Sequence, residues 1–443
     1  MANRLRQLAM LATTAVQKML APPGRMTAFD PQIDSLRHGV MKNLTFAAIE
    51  AILDNGKDGD LSAALTFFEE MEQRWGRLGS VAATRRLALT GLEWEVASAA
   101  DTMDKPADKK LADEAAAYTR ETLKRLKGFR TALKHLATSI GRNVAVCEVE
   151  WSNDAARGPE PVDIFPVYSN RLTMQLQRSA AVHVITRDNL LGIPATAPKF
   201  VVAVPHATSG SPLWRSMAEG HAWLFLIWKL MLSDWGTFCE LFGIPFRHAT
   251  YQQGATPQEK TEVVNMLKGM GSTGWALTSK AVQIAFVEST SRGIAPFEGI
   301  LNFCNREVTV MYLGGNITND TTGGRGLVAE AEMQSDVRGD IRDDDIQNES
   351  GDVSEQFIKY ICGFRFPGWD VPCPVFRRIK PETIDRIKES AAIKAAQVVG
   401  LSIGLDWAYK RLAIPKPKPE DELLEPLDAF ADAVREETTG EGT

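Results

Sequence analysis

The sequence predicts a mainly helical α+β protein, and three stretches of the chain carry that prediction. Residues 212–243 repeat apolar side chains at helical spacing, which indicates one long helix rather than a strand. Residues 141–205 alternate apolar and polar residues in short runs separated by turn formers, which is typical of β-strands. Residues 243–290 combine strand patterns (244–251, 275–278 and 283–287) with one helix that starts at Thr256-Pro257. The last stretch therefore forms a compact β-α-β-β insert between two longer helices.

The predicted long helix is the element around which the other elements are arranged. It contains Trp214, Trp223, Trp228 and Trp235. Ser211 and Pro212 offer a cap and a first-turn proline, while Gly243 and Pro245 end the pattern. Its apolar side chains do not fall on one narrow stripe. We therefore expect the helix to be covered on more than one side, by its own chain or by neighbouring copies.

A membrane span is the alternative interpretation of the same stretch, and the sequence disfavours it. Such a span needs about 18 to 20 uninterrupted apolar residues. The longest run here, 222–232, already contains Lys229 and is followed by Ser233 and Asp234. The N-terminus mixes basic and apolar residues without a continuous apolar core, so we expect no signal peptide.

The charge of the chain is concentrated at its C-terminal end. Residues 416–443 hold nine acids and three bases, which accounts for the net charge of −6, and the remaining residues carry 47 of each sign. A tight, sequence-independent DNA binder usually has a basic excess, so we expect any contact with nucleic acid to be weak. The five cysteines are scattered without a CxxC pair, which predicts neither a disulfide framework nor a zinc site and favours a reducing compartment.

No stretch of the sequence has the pattern of a nucleotide or calcium site. Residues 323–326 are rich in glycine, but they lack the lysine and the Ser or Thr that a P-loop needs. Residues 54–60 (DNGKDGD) resemble a calcium loop superficially, because the position of the twelfth, acidic ligand is occupied by Leu65. We interpret both segments as ordinary loops.

The remaining candidates for chemistry are also weak. Asp343, Asp344 and Asp345 are consecutive, so on a helix they point about 100° apart and do not converge on a metal. Arg338 and Arg342 lie beside them, which favours a solvated or inter-subunit charged face. The six histidines lack metal-binding spacing, and no nucleophile motif is present. The sequence therefore predicts no catalytic, cofactor-binding or metal-binding residue.

Several short stretches follow one another in an order typical of one family. They are 59–72, Arg85-Arg86, 91–94 (GLEW), Trp228-Lys229, Asp234-Trp235, 242–247 (FGIPFR), 251–260, 313–324, 330–342 and 408–415 (AYKRLAIP). In this order they resemble the portal proteins of Mu-like tailed bacteriophages and prophages, over roughly residues 45–415. No single motif is specific, and the order carries the resemblance.

The resemblance implies a portal fold and a structural rather than enzymatic role. Portal proteins form a ring of about twelve copies at one capsid vertex. Double-stranded DNA passes through the ring without sequence-specific contacts during packaging and ejection. The expected partners are the terminase large subunit, a head–tail adaptor and the major capsid protein, with no cofactor and no membrane. The expected location is the virion, preceded by the host cytoplasm during assembly.

The resemblance also implies a division of this chain into regions. These are an N-terminal arm (1–44), a wing of helices and a β-rich part (45–211), a descending stem helix (212–242), a clip (243–290), a returning stem helix (291–313), a tunnel loop (314–326), a wing and tunnel helix region (327–380), a crown (381–415) and an acidic, flexible tail (416–443).

Three groups of residues follow as candidates for function. The tunnel-loop residues expected to face DNA are Asn316, Thr318, Asn319, Thr321, Thr322 and Arg325. The residues expected to pack in the stem or between subunits are Trp223, Trp228, Trp235 and Phe238. The residues expected on the partner surface of the clip are Arg247, Tyr251, Lys260 and Trp275.

Other interpretations remain open from the sequence. The glycine-rich loop also fits an ordinary surface connector. Another virion or scaffold-interaction protein would share the same composition. A nucleic-acid-processing enzyme of the packaging apparatus would need a convergent acidic cluster or a P-loop, and neither pattern is found.

Overall fold

The computed structural model describes residues 44–154, 158–174, 181–206, 210–242, 247–252, 254–269, 275–279, 295–315, 327–366, 373–380, 386–412 and 414–418. Over these ranges, no helix has the length and apolarity that a membrane span requires. The chain divides into two compact units, Met1–Ile379 and Lys380–Thr443.

The described elements form a mostly helical α+β fold, as the sequence predicts. The helices are α1 (Phe46–Lys57), α2 (Leu61–Arg74), α3 (Gly76–Thr90), α4 (Pro106–Arg125), α5 (Phe129–Leu136), α6 (Ser139–Arg142), α7 (Met217–Phe242), α8 (Pro257–Gly269), α9 (Ala295–Leu313), α10 (Leu327–Val353), α11 (Lys359–Arg365), α12 (Arg386–Val398) and α13 (Leu405–Arg411). The strands are β1 (Trp94–Ala97), β2 (Ala145–Asp154), β3 (Gly158–Pro166), β4 (Leu172–Met174), β5 (Val182–Val184), β6 (Ile193–Pro194), β7 (Phe200–Ala203), β8 (Arg247–Tyr251), β9 (Trp275–Ser279) and β10 (Val375–Arg378).

The β-rich part of the first unit consists of small antiparallel sheets. Strands pair in the orders β3–β2–β7 and β4–β5–β6, and β1 pairs with β10 from far along the chain. The strand pattern predicted to begin at residue 141 begins at Ala145 instead, because Gly141 and Arg142 complete the short helix α6. Cys147 lies in the central strand β2 and is fully buried, and burial raises the pKa of its thiol.

Two apolar cores stabilise the first unit. The first lies between α2, α3, α7 and α9, and its largest buried side chains include Phe67, Phe68, Trp75, Phe225 and Tyr312. The second lies between the sheet β3–β2–β7 and helices α4, α5 and α11, and it contains Phe129, Trp151, Phe357 and Phe376. Each buried aromatic side chain of this size removes a large apolar area from water and so contributes substantially to the folding free energy.

The prediction of a loop over residues 54–60 is wrong for most of that segment. Helix α1 continues to Lys57, because the Asp54 carbonyl still accepts a helical hydrogen bond from the Asp58 amide at 2.9 Å. Only the last residues turn, at Gly59, whose φ of 129° is accessible to glycine and strained for other residues. The acidic side chains of this segment are therefore spread around a helix end.

Helix α7 begins later than its predicted start at Pro212. Residues 212–215 form a turn in which the Trp214 amide donates to the Ser211 carbonyl at 3.0 Å. Arg215, the last residue of this turn, has a φ of 66°, a left-handed conformation that residues of a right-handed α-helix do not adopt. Trp214 is therefore outside the helix and 48% exposed.

Helices α7 and α9 form an antiparallel pair. At one end the rings of His221 and Tyr312 stack with centroids 5.4 Å apart. At the other end Phe238 meets Phe297 at 5.7 Å. The chain between the two helices includes the insert, which is thereby held at the Phe238–Phe297 end of the pair.

The insert is a β-α-β unit in its described part. Strands β8 and β9 pair in parallel, with Arg247 opposite Trp275, and α8 connects them. Thr256 and Glu259 form a reciprocal capping box at the start of α8, with the Thr256 amide donating to Glu259 at 2.8 Å and the Glu259 amide donating to the Thr256 hydroxyl at 3.3 Å. This confirms the predicted helix start, while the predicted strand 283–287 lies outside the described residues.

Helix α10 continues through a π-turn (Ser354–Ile358) into α11, and the π-turn joins two sheets. The Gln356 amide group bonds to both the N–H and the carbonyl of Val202, each at 2.8 Å, so it satisfies the edge of β7 as another strand would. The Ser354 hydroxyl accepts from the Phe376 amide of β10 at 3.0 Å. These bonds hold the C-terminal end of α10 against the sheet β3–β2–β7 and against the paired strands β1 and β10.

The second unit contains α12 and α13 in its described part. Arg411 of α13 donates to Glu389 of α12 through Nη2 at 2.7 Å and through Nε at 3.1 Å. Exposed ion pairs of this kind contribute up to about 1 kcal/mol. The apolar residues of this unit are largely exposed, including Val398, Val399, Leu405 and Trp407.

Candidate functional site at the root of the helix pair

The inner end of the α7/α9 pair is embedded in the first unit, and we call this region the root. It is defined by Glu72, Arg85, Arg86, Gly141, Arg142, His221, Tyr312 and Asp345. These residues come from α2, α3, α6, α7, α9 and α10. The root is therefore the place where the helix pair is fixed relative to the body.

A buried bidentate ion pair connects three helices at the root. Arg85 of α3 donates through Nε and Nη2 to the two carboxylate oxygens of Asp345 on α10, each at 2.9 Å. Its Nη1 donates to the Tyr312 carbonyl near the end of α9 at 3.2 Å. Arg85 is 7% exposed and Asp345 is 3% exposed. Removing one partner of such a pair leaves a buried charge uncompensated.

The buried position of Asp345 corrects the prediction of a solvated acidic triple. Asp344 is exposed and Asp343 is half-buried, whereas Asp345 faces inward. The three carboxylates do diverge around the helix, as expected. The prediction failed for Asp345 because its partner, Arg85, is distant in the sequence.

A second charge cluster lies beside the first. Arg142 donates to both carboxylate oxygens of Glu72, at 3.2 and 3.0 Å, and Arg86 donates to one of them at 3.0 Å. Burial by itself would raise the pKa of Glu72, but the positive charges of Arg142 and Arg86 hold it below the usual value. Glu72 therefore stays ionised, and it links α2, α3 and α6.

Two polar side chains of α9 also bond to the body. The Trp75 indole N–H donates to Asn305 at 3.0 Å, and Arg77 Nε donates to the Thr309 hydroxyl at 2.9 Å. Both bonds fix the rotation of α9 about its own axis. The buried side of α9 consists of Leu301, Cys304, Val308 and Tyr312.

The Tyr312 ring occupies a space that only glycine leaves open. A Cβ atom at position 141 would lie 2.3 Å from the Tyr312 hydroxyl. That hydroxyl is buried without a hydrogen-bond partner among the described residues. Burial raises the pKa of Tyr312, and burial also lowers the pKa of the stacked His221 to about 4. The root therefore holds both groups in their neutral forms near pH 7.

The helix pair also carries apolar side chains along its length that the described part of the chain leaves exposed. On α9 these are Ile300, Phe303, Val310 and Met311, and on α7 they are Leu230 and Leu232. With 100° per residue, the exposed set on α9 is centred about a third of a turn from the buried set. The α9 helix is therefore apolar on two sides, of which one faces solvent. We call the four exposed residues of α9 the outer stripe.

The stem residues predicted from the sequence lie along this pair. Trp223 stacks on Phe46 with centroids 5.7 Å apart, and Trp228 stacks on Trp75 at 5.4 Å. Trp235 and Phe238 are half-buried near the outer end of α7. The four residues therefore divide between the body and the outer part of the pair.

The predicted clip residues lie in or beside the β-α-β insert. Arg247 and Trp275 are opposite each other in the two strands. The Lys260 ammonium lies 4.4 Å from the centre of the Tyr251 ring, which forms a cation–π contact between α8 and β8.

The predicted tunnel-loop residues, Asn316 to Arg325, lie outside the described residues. The start of this segment is defined by Gly314, which ends α9 with a φ of 72°. A Cβ at position 314 would lie 2.6 Å from Cγ1 of Val337 on α10. Close contact with α10 therefore requires glycine at this helix end.

Within the described ranges, no group of three or more His, Cys, Asp or Glu side chains is arranged to hold a metal ion. The described thiols are free: Cys147, Cys239, Cys304, Cys362 and Cys373. Sequence reasoning missed Arg85, Gly141 and Tyr312 as root residues. Each lacks a local motif, because its partner is remote in sequence.

Comparison with known proteins identifies the class of protein to which this chain belongs. Residues 65–414 match the family described as the portal protein of Mu bacteriophage. The portal protein of Escherichia phage Mu is 22% identical over 377 residues, which cover 83% of this chain and 70% of that protein. The Mu-like prophage FluMu protein gp29 of Haemophilus influenzae is 22% identical over 401 residues, covering 86% and 72% respectively.

Solved structures from gene transfer agent particles have a similar chain trace. A chain in the virion of the native particle aligns with a TM-score of 0.48 at 9% identity, covering 83% of this chain and 94% of that chain. A chain in the neck of the empty particle, computed with C6 symmetry, gives 0.48 at 10% identity, covering 87% and 99%.

The family match extends over most of the chain, from α2 to the end of α13. The class defined in this way is that of bacteriophage portal proteins. Within that class, the chain belongs to the family of Mu bacteriophage portal proteins.

The fit of Tyr312 beside Gly141 gives a testable double substitution. We expect Gly141→Ala to lower the free energy of unfolding by about 1 to 3 kcal/mol, because the new methyl group overlaps the Tyr312 hydroxyl. Tyr312→Phe in the same protein should restore part of that loss. Gly339→Ala, at an open position on α10, is the control and should not destabilise. Urea denaturation measures all four proteins, and a Gly141→Ala protein as stable as the parent would contradict this packing.

The lowered pKa of His221 predicts a pH dependence of stability. Between its ordinary pKa of 6.5 and its folded pKa of about 4, the unfolded chain binds the additional proton. The free energy of unfolding therefore falls as the pH falls through that window. We expect His221→Phe, which keeps the ring stacked on Tyr312, to reduce the loss between pH 7 and pH 5 by about 1 to 2 kcal/mol. Equal losses in both proteins would show that His221 is not held neutral.

Proposed function

We propose that copies of this chain assemble into a ring of about twelve subunits at a capsid vertex, with α7 and α9 as the stem. Double-stranded DNA passes through the ring during packaging and ejection. The ring belongs to the virion and is assembled in the host cytoplasm. The outer stripe of α9 is the observation that carries this proposal, because it leaves an apolar surface that the described part of one chain does not cover.

The position of the outer stripe supports neighbouring copies as its cover. Ile300 and Phe303 are one turn apart, and Val310 lies about two turns further along the same side of α9, with the charged side chains of Arg306 and Glu307 between them. In a ring of parallel stems, each helix pair has a neighbour on both sides, and apolar faces between them are then buried. Burial of apolar area at about 25 cal/mol per Å² stabilises such contacts.

The insert is proposed as the clip, which contacts the terminase large subunit and later a head–tail adaptor. Its position at the Phe238–Phe297 end of the pair supports this role, because it is at the opposite end from the root. Arg247, Tyr251, Lys260 and Trp275 are the proposed contact residues. The body of the first unit is proposed to contact the major capsid protein as the wing, and residues 381–415 are proposed as the crown.

Residues 314–326 are proposed as the tunnel loop, with Asn316, Thr318, Asn319, Thr321, Thr322 and Arg325 facing DNA. The balance of 47 acids and 47 bases over residues 1–415 supports a channel that does not hold phosphate tightly. The role proposed for this protein is structural, so neither a cofactor nor a catalytic residue is assigned.

Assembly through the outer stripe is tested by replacing two of its apolar residues with glutamate. We expect the purified protein to form rings with a central hole in negative-stain micrographs. The double variant Phe303→Glu/Val310→Glu should remain monomeric in mass photometry, with an unchanged melting temperature, because both side chains are exposed in the single chain. Leu190→Glu, at a residue that is 75% exposed in a loop, is the control and should assemble.

Two results would overturn the proposed assembly surface. One is ring formation by the Phe303→Glu/Val310→Glu protein. The other is a parent protein that remains monomeric or dimeric across ionic strengths.

The tunnel-loop assignment has its own test. We expect Arg325→Ala to leave ring assembly intact and to change DNA packaging or retention, because only a residue facing the channel meets the passing phosphates. Packaged DNA per particle is the measurement. Failure of the Arg325→Ala protein to form rings would show that the loop is architectural instead.

A further inference from the structure

One segment of the body is strongly basic although residues 1–415 are balanced in charge. Between Glu121 and Glu148 the chain contains no acidic residue. It contains six cationic side chains: Lys124, Arg125, Lys127, Arg130, Lys134 and Arg142. Arg142 is buried in the ion pair with Glu72. The other five are therefore a local positive excess that the overall count conceals.

Four of these cations surround one open groove of about 650 Å³. Lys124 is in the last turn of α4, Lys127 follows it, and Arg130 and Lys134 are on the outward face of α5. All four are exposed. Among the described residues, none of them pairs with a carboxylate, and Glu93 is the one acidic side chain that lines the groove. We call this surface the basic groove.

Three other arginines of the first unit differ from the rim cations in burial and pairing. Arg85, Arg142 and Arg378 are buried and bonded to carboxylates. Arg378 reaches the base of the basic groove, but Glu349 and the Leu92 carbonyl already satisfy it. The four rim cations repel one another and contribute no described bond to the fold. Their grouping raises the local positive potential, which attracts anionic groups and increases the rate of their association.

The floor of the basic groove is apolar, and this favours an acidic peptide over a DNA duplex as its ligand. Phe129 and Leu133 form its buried part, and the half-buried Trp94 stands at its side, in edge contact with Phe129 at 5.4 Å. A DNA duplex presents phosphates on a broad convex surface, so it would contact the rim and leave this floor unused. An acidic peptide with apolar side chains uses both the rim and the floor.

We propose that the basic groove binds an acidic, amphipathic peptide segment of a partner protein. Carboxylates of the segment pair with Lys124, Lys127, Arg130 and Lys134, and one or more apolar side chains contact the floor at Trp94. The groove lies on α4, α5 and β1, away from the outer stripe on α9. This proposal is independent of the ring assembly proposed above.

The test uses the full-length protein and a labelled synthetic peptide. The peptide has about 18 residues, with Leu and Phe at helical spacing and Glu at the other positions. A second peptide has the same composition in scrambled order, and a duplex oligonucleotide is the nucleic-acid probe. Fluorescence anisotropy at about 0.1 M salt gives the dissociation constants.

We expect the patterned peptide to bind more tightly than the scrambled one. Lys127→Glu/Arg130→Glu should weaken its binding by at least about tenfold. Lys109→Glu/Lys110→Glu, at two exposed lysines on the same α4 outside the groove, is the control and should change it by less than about twofold. Lys127→Gln/Arg130→Gln provides a neutral version if the reversed pair lowers the melting temperature.

Three outcomes would overturn the proposal. The first is absence of peptide binding to the parent protein. The second is equal binding of the patterned and scrambled peptides, or equal losses in the groove and control variants, which would indicate unspecific charge attraction. The third is a duplex that binds more tightly than the peptide with the same dependence on Lys127 and Arg130, which would make the groove a nucleic-acid site.

Discussion

Arg85 connects three elements that are far apart in the chain, namely α3, the end of α9 and the middle of α10. Because its charge is buried, separating Arg85 from Asp345 within the core would leave that charge unpaired. The pair with Asp345 need not add much net stability, since both charges were taken out of water. Its effect is on geometry: it sets where α9 ends and how α10 passes that end.

The fixed root explains how α9 can be apolar on two sides. Leu301, Cys304 and Val308 are held in the core, and the bond between Arg77 and Thr309 fixes the rotation of the helix. The outer stripe is consequently held about a third of a turn away from that buried side, toward solvent, and it cannot turn inward without breaking those contacts. A rigid helix pair with one uncovered apolar side fits the stem of the portal assembly proposed above.

Much of the fold follows from local patterns in the sequence. The α7 periodicity, the strand alternation and the capping box at Thr256 are local signals, and the structure contains each of them. Non-local features were not predictable from the sequence. Helix α7 does not start at Pro212, because residues 212–215 form a turn instead. Asp345 is buried by its pairing with Arg85, 260 residues away. The neutral charge count of residues 1–415 conceals the basic groove. In each case long-range packing determined the outcome.

If neighbouring copies cover the outer stripe, the exposed surface of the helix pair is buried only in the assembled protein. Hydrogen–deuterium exchange on the assembled fraction and on the monomeric fraction tests this directly. We expect amides in residues 229–242 and 296–311 to exchange markedly more slowly in the assembled fraction, while those of α4 do not change. Equal exchange of the helix pair in both fractions would show that neighbouring copies do not cover the outer stripe.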